Sequence, residues 1–209
     1  GIVVGDEGVI YRTQDGGETW SQQSSGTFFA LHSVTFKSTG AFVVGENGTV
    51  LKSTNGGNSW NTLSNFTDSE LTGVSFLNGN TGYVCGRNPV GLWMTEDGGD
   101  SWEDRTPNTN GGLDDVFFVN GLRGYTVGAY GFFYTTDGGL TWEEAQSGVN
   151  NNGLYTISFF ENQKGWIAGN QGHMAKTNDG GINFGGGYVS DNVLNDVHFG
   201  NEENGIVVG

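Results

Sequence analysis

The sequence predicts an all-β fold, a β-propeller of four-stranded antiparallel blades, and three observations lead there. An eight-residue signature recurs five times at near-constant spacing. Each repeat holds four short apolar stretches separated by turn residues, and no stretch shows a sustained helical period. The signature reads "TQDGGETW" at 13–20, "STNGGNSW" at 53–60, "TEDGGDSW" at 95–102 and "TTDGGLTW" at 135–142. A fifth copy at 177–184, "TNDGGINF", ends in Phe. Its acid or amide stands at Asp15, Asn55, Asp97, Asp137 and Asp179, in steps of 40, 42, 40 and 42 residues. Four short strands in about 41 residues mark a propeller blade.

The elements of one repeat follow in order. The first strand is "LHSVTF" at 31–36, echoed by "LTGVSF", "LDDVFF", "LYTISF" and "LNDVHF" at 71, 113, 154 and 194. The second is "AFVVG" at 41–45, with sisters "GYVCG", "GYTVG" and "GWIAG", and "GIVVG" at both chain ends. A two-residue link between glycines, as in "GENG" at 45–48, reads as a tight turn into the third strand. The signature then forms the hairpin loop between third and fourth strands. Its acid accepts hydrogen bonds from its own turn, the paired glycines let the chain curl, and the aromatic packs between sheets. Asp15, Trp20, Asn55, Trp60, Asp97, Trp102, Asp137, Trp142, Asp179 and Phe184 are therefore assigned to architecture. A Ca²⁺ loop would need six to eight oxygen ligands, and each copy offers one carboxylate with hydroxyls.

The 209 residues are read as a single propeller domain, 1–209. Thirty-nine glycines, two prolines and 27 aromatic residues describe tight turns around a packed core rather than disorder. With 8 basic against 23 acidic residues, a net charge of −15, the surface repels phosphate backbones and anionic membranes. Nucleic-acid partners and membrane insertion are not expected, and no apolar run approaches the roughly 20 residues of a membrane span. The chain opens inside a repeat without an initiator Met, so a mature or partial chain is expected. Six second strands against five of each other kind suggest an arc of a ring of six to eight blades, or a ring completed by another chain. Closure at five would pair Leu194–Phe199 with Gly1–Gly5 and leave one "GIVVG" unpaired.

The signature is similar to the Asp-box, or BNR repeat, and the longer unit, "GxVVGxxGxxxxTxDGGxxW" after "LxxVxF", resembles the photosystem II stability and assembly factor family. The resemblance spans the whole chain and implies a propeller. It says less about function, because Asp-boxes also occur in sialidases, xyloglucan-degrading enzymes and sorting receptors.

No convergent catalytic set is visible. Sialidases need three arginines on one pocket, and Arg12, Arg87, Arg105 and Arg123 fall at four phases of the blade. A glycosidase needs two acids about 5–10 Å apart, for which Asp114 or Asp115 with an acid on the next blade is the candidate pair. His32, His173 and His198 show no metal-ligand spacing and are expected at the surface or rim. Cys85 shares the column of Val4, Val44, Val127, Ala168 and Val208 and is expected to be a buried apolar residue. No catalytic residue, metal or cofactor is assigned.

The candidate binding face collects the turns between second and third strands and the links between blades. It carries Glu7, Glu46, Arg87, Asn88, Tyr130, Asn170 and Gln171, with Asp6, Asn47, Phe28, Phe29, Phe66, Asp68 and the amide run 150–152 beside them. The insertion "RNPVG" at 87–91 departs from the repeat there. Acids, amides and aromatics suit a protein or glycan partner. The expected function is a non-enzymatic binding or assembly scaffold outside the cytoplasm, periplasmic, lumenal, cell-surface or secreted. The alternative is a carbohydrate-active propeller that binds or hydrolyses glycans.

Overall fold

The computed structural model describes residues 1–37, 40–145, 153–160, 163–201 and 204–209, so the amide run 150–152 lies outside the described residues. The chain forms two compact units, Gly1–Asp104 and Arg105–Gly209. The first unit opens with a three-stranded sheet, β1 (Ile2–Val4), β2 (Ile10–Arg12) and β3 (Ser21–Gln23). Two four-stranded blades follow: β4 (Leu31–Lys37), β5 (Gly40–Gly45), β6 (Val50–Ser53), β7 (Asn61–Thr62), then β8 (Glu70–Phe76), β9 (Gly82–Arg87), β10 (Gly91–Thr95), β11 (Glu103–Asp104).

The second unit repeats the plan with β12 (Leu113–Phe118), β13 (Gly124–Gly128), β14 (Gly131–Thr135), β15 (Glu143–Glu144), and then β16 (Leu154–Phe160), β17 (Lys164–Gly169), β18 (His173–Thr177), β19 (Gly185–Tyr188). It ends in the pair β20 (Asp196–Phe199) and β21 (Gly205–Val208). Every ladder between neighbouring strands is antiparallel. The fold is thus an all-β propeller architecture, with a blade count compatible with part of a larger ring. In the described ladders β1 pairs with β2 alone and β20 with β21 alone.

The second strands are the core. Ala41–Val44, Tyr83–Cys85 and Trp166–Ala168 are buried on both faces, which is why these stretches read as unbroken apolar runs. Cys85 is fully buried in its expected column. A bulge follows the leading Leu of each first strand, at Leu31/Ser33, Leu71/Gly73, Leu113/Asp115 and Leu154/Thr156. It bends the strand locally and re-aims the residues beside it.

Blades join through flat aromatic contacts. Phe42 of β5 stacks on Phe76 of β8 with centroids 3.6 Å apart. Tyr125 of β13 stacks on Phe159 of β16 at 5.0 Å, and Trp166 of β17 on Phe199 of β20 at 3.6 Å. The same Phe ring lies over the glycine that opens its own blade's second strand. A Cβ at Gly82, Gly165 or Gly205 would stand 2.4, 2.6 or 2.5 Å from Phe76, Phe159 or Phe199. That contact explains the glycine in the "GYVCG" pattern better than any turn does.

The link between second and third strands differs from expectation. The Gly45 N–H donates to Thr49 O (3.0 Å), so the loop holds three residues, with Asn47 and Gly48 both at positive φ. Glu7–Gly8 and Gln171–Gly172 repeat it. A two-residue turn would not place Gly48 against Thr67 O, where a Cβ would come within 1.8 Å.

Gly165→Ala is expected to cost about 1–3 kcal/mol by forcing Phe159 off its seat, and Phe159→Ala about 3–5 kcal/mol. Denaturant midpoints at constant m-value check both.

Candidate functional site: Asp-box turns and the loop end of the blades

Each signature turn is built on a buried hydroxyl. Ser53, Thr95, Thr135 and Thr177 are at most 1 % exposed. The Thr95 hydroxyl donates to Asp97 Oδ1 (2.8 Å) and accepts the Gly99 N–H (2.9 Å). Asp97 Oδ1 also accepts the Ser101 N–H (2.9 Å), and its Oδ2 accepts the Ser101 hydroxyl. The same set recurs around Asp15 and Asp137, and around Asp179 with the Asn183 amide donating in place of the hydroxyl. Asn55 builds it with an amide, its Oδ1 accepting from Ser53 and Ser59 and its Nδ2 donating to Ser59.

These donors hold the carboxylates well below the usual range. The Thr141 hydroxyl, then its N–H, then Thr135 take Asp137 to about 2. The Asn183 N–H, the Asn183 amide and Thr177 take Asp179 to about 2. For Asp15 the Thr19 hydroxyl and for Asp97 the Ser101 hydroxyl are the leading causes, with the same direction.

The turn is tied outward as well. Gly98 N–H donates to Asn80 O (2.8 Å) in the blade's own first-to-second loop, and Lys52 Nζ of the preceding blade donates to Gly98 O (2.9 Å). Arg12 Nε makes the matching bond to Gly56 O (2.7 Å). The aromatics differ among themselves. Trp102 stacks on Phe66 (4.9 Å), Trp142 Nε1 donates to Arg105 O (2.7 Å), and Phe184 is buried against Phe132. Trp60 packs against Ile10, Leu31, Val43 and Leu51. Trp20 remains 44 % exposed instead of packing between sheets.

At the opposite end of the blades, the first unit exposes Asp6, Glu7, Asn47, Asp68 and Asn88, with Phe28 at 93 % exposure beside Phe29. Glu46 is exposed too, and its Oε2 accepts the Ala30 N–H (3.2 Å). Phe66 is half-buried rather than exposed, packed against the core beside Trp102 and Trp93. Arg87 donates twice to Glu70 Oε1 (2.9 and 3.1 Å), and His32 stands 3.7 Å from the same oxygen. That guanidinium is the first reason the Glu70 carboxyl titrates low. The Glu70 partner was not legible, because it sits outside the repeat's pattern of signatures.

In the second unit Tyr130 is 71 % exposed, Gln171 is exposed, and Asn170 accepts the Tyr155 hydroxyl (3.1 Å). His173 is a correction: it is 5 % exposed, packed 4.1 Å from the Tyr188 ring, because its place at the start of β18 turns it inward. His198 is exposed. Two pockets lie at this end of the blades, each beside a turn, a fourth strand and a link, the link that leaves the blade in the first unit and the link that enters it in the second. One, about 330 Å³, lies between Glu7, Gln23, Ser25 and Phe28 in the first unit. The other, about 400 Å³, lies between Asn108, Thr109, Asn110, Tyr130, Phe133 and Glu144 in the second. Asn108–Asn110 belong to a link between blades whose composition resembles any polar loop.

Of the candidate acids, Asp115 is tied to the main chain of the next blade, and the acid that reaches toward it, Asp196, lies one blade further on. Asp115 Oδ1 accepts the Val116 N–H (2.8 Å) and Oδ2 the Ile157 N–H of the next blade (2.9 Å). The Thr156 hydroxyl donates to Asp196 Oδ1 (2.9 Å). Desolvation, outweighing both N–H donors, pushes Asp115 up to about 7, with Asp196 and Asp114 adding repulsion. Among the described residues no group of three His, Cys, Asp or Glu could hold a metal ion.

The profile of the Photosynthesis system II assembly factor YCF48 family matches residues 1–65 and 107–192. The chain belongs to that family. No curated protein sequence matches it significantly. Among solved structures, YCF48 from Cyanidioschyzon merolae is 18 % identical, with TM-score 0.55 over 99 % of this chain and 87 % of its own. A structure of YCF48 bound to D1 peptide is 17 % identical, with TM-score 0.54 over 99 % and 84 %. The GH74 xyloglucanase from Xanthomonas campestris is 14 % identical, with TM-score 0.73 over 94 % of this chain and 38 % of that enzyme. At such identities these likenesses establish the propeller fold alone.

Thr95→Val keeps the shape of the buried hydroxyl and strands the Gly99 N–H, so a loss of about 1–3 kcal/mol is expected in a denaturant titration. The depressed Asp-box carboxylates stabilise the fold above the unfolded value near 4, and this contribution is lost as pH falls toward 2. Asp137→Asn should therefore flatten the acid limb of a melting-temperature profile over that window.

Proposed function

We propose that the chain is a non-enzymatic binding or assembly scaffold, one propeller domain over 1–209, that works outside the cytoplasm. It holds a neutral or cationic protein segment on the loop end of its blades. The observation that carries this reading is a pair of pockets at the loop end, each bordered by a turn, a link between blades and an exposed aromatic, Phe28 of a link in one unit and Tyr130 of a turn in the other. Exposed aromatic side chains at a pocket are the usual anchors of protein interfaces. The net charge of −15 selects against anionic partners and steers cationic ones. Membership of the YCF48 family supports a scaffold, and the relative solved with D1 peptide supports a peptide ligand. The extracytoplasmic placement comes from the family resemblance.

A glycan-binding or glycoside-hydrolysing function is the second reading, favoured by the raised titration of Asp115 beside Asp196 and by the fold likeness to GH74 enzymes. A general acid needs a carboxyl raised toward neutrality, and desolvation pushes Asp115 up to about 7. Both of its oxygens, however, accept main-chain N–H groups, which is the work of a strand tie.

Biolayer interferometry with the D1 peptide and with charge-varied peptides of equal length tests the scaffold. Tyr130→Ala and Phe28→Ala are each expected to weaken binding about tenfold, while Asp97→Ala lowers the melting temperature and leaves binding by folded protein intact. Turnover of xyloglucan or sialosides that disappears in Asp115→Asn would overturn the non-enzymatic reading.

A further inference from the structure

The second unit holds a cavity of about 300 Å³ on the Asp-box side of β15, lined by Arg123, Tyr125, Tyr134, Glu144, Gly181 and Ile182 among others. Its origin is a departure from the repeat. The residue before each Asp-box hydroxyl is Arg12, Lys52, Met94, Tyr134 or Lys176. In the first unit Arg12 and Lys52 reach across to the next Asp-box carbonyl, Gly56 O and Gly98 O. The blade β12–β15 carries Tyr134 there. Its hydroxyl turns to the cross-strand Glu143, and the crossing is not made. The matching carbonyl, Gly180 O of the next blade, is met instead from the second-strand side by Arg123 Nη1 (3.2 Å) and by the Tyr125 hydroxyl. The space that a cationic stem would have filled stays open.

We propose that this cavity binds a single neutral sugar ring. Tyr134 offers an aromatic wall and Ile182, 68 % exposed, an apolar lip, against which the C–H face of a pyranose can pack. Arg123 brings guanidinium donors, and Glu144 brings a carboxylate that accepts hydroxyl protons. A donor and an acceptor at an apolar-walled recess match the alternating polarity of a ring hydroxyl edge. A free anion meets Glu143, Glu144 and the −15 field, and a basic side chain meets Arg123, so a ligand without net charge fits best. Glu144 borders both this cavity and the pocket at Tyr130, whereas Tyr134 and Ile182 border this cavity and not that pocket, so substitutions at those two separate this site from the peptide reading.

Saturation-transfer NMR on the full chain, with the methyl glycosides of glucose, galactose, mannose, xylose and N-acetylglucosamine, tests it. Transfer to ring protons is expected for at least one, with a Kd on the order of 1 mM, as befits one ring in an open recess. Tyr134→Lys restores the crossing of the sister blades, and it should abolish transfer while keeping or raising the melting temperature. If that variant fails to fold, Ile182→Arg at the exposed lip should block the site without touching the core. Phe28→Ala should leave transfer unchanged. The proposal fails if no glycoside shows transfer at several times that concentration, or if transfer persists in folded Tyr134→Lys or Ile182→Arg. It fails equally if N-acetyl-lysine methylamide binds there and no sugar does.

Discussion

The buried hydroxyl that opens each Asp-box is the constraint on which the blade depends. It is placed in the core by the third strand, yet it must find partners there, since an unmade hydrogen bond on a buried group costs more than a made one returns. Its donation to the acid and its acceptance of the second glycine's N–H wind the turn that starts the fourth strand. The wound turn then exposes one N–H to its own blade and one carbonyl to the blade before it, as Gly98 does toward Asn80 and Lys52. One side-chain oxygen thereby sets hairpin, loop and blade contact together.

Much of this was legible because repetition multiplies weak signals. A single "TQDGGETW" allows a catalytic, metal-binding or structural reading, whereas five at even spacing allow essentially one. The apolar columns that placed Cys85 in the core worked for the same reason. What escaped were contacts that break the repeat or lie across it. Glu70 joins His32 and Arg87 through three different elements. Phe66 looked like surface because its link is polar, and Trp93 and Trp102 draw it inward. His173 was misplaced since a lone polar ring at a strand start gives no face. The three-residue turn was counted short because Gly48 served in the pattern as a boundary, while in space it is the last residue of the loop.

The inner strands show a trade between the two uses of a carboxyl. The column Ser33, Gly73, Asp115 and Thr156 follows the bulge, where a short polar side chain can reach a main-chain N–H on the next blade. Thr156 does this with a neutral hydroxyl at 3.4 Å from Val197 N, and Asp115 with a carboxylate at 2.9 Å from Ile157 N. The acid makes the shorter bond and carries a desolvation cost that its proton relieves. A group raised above its unfolded value contributes most at low pH, and here that contribution fades between about 4 and 7. Acidic Asp-boxes and this acidic tie therefore respond to pH in opposite senses within one blade.

Asn55 carries a consequence of a different kind. It occupies the Asp-box with an amide and keeps both hydroxyl contacts and the Ser59 N–H, so the turn requires an acceptor and not a charge. The four ionised copies can be exchanged for amides one at a time, removing up to four negative charges while the architecture stays in place. Colloidal behaviour and long-range attraction to partners are thus tunable with the turn geometry kept, at the cost of the stabilisation that each depressed carboxylate gives above its unfolded value. A lineage, or a designer, can recharge this protein without rebuilding it.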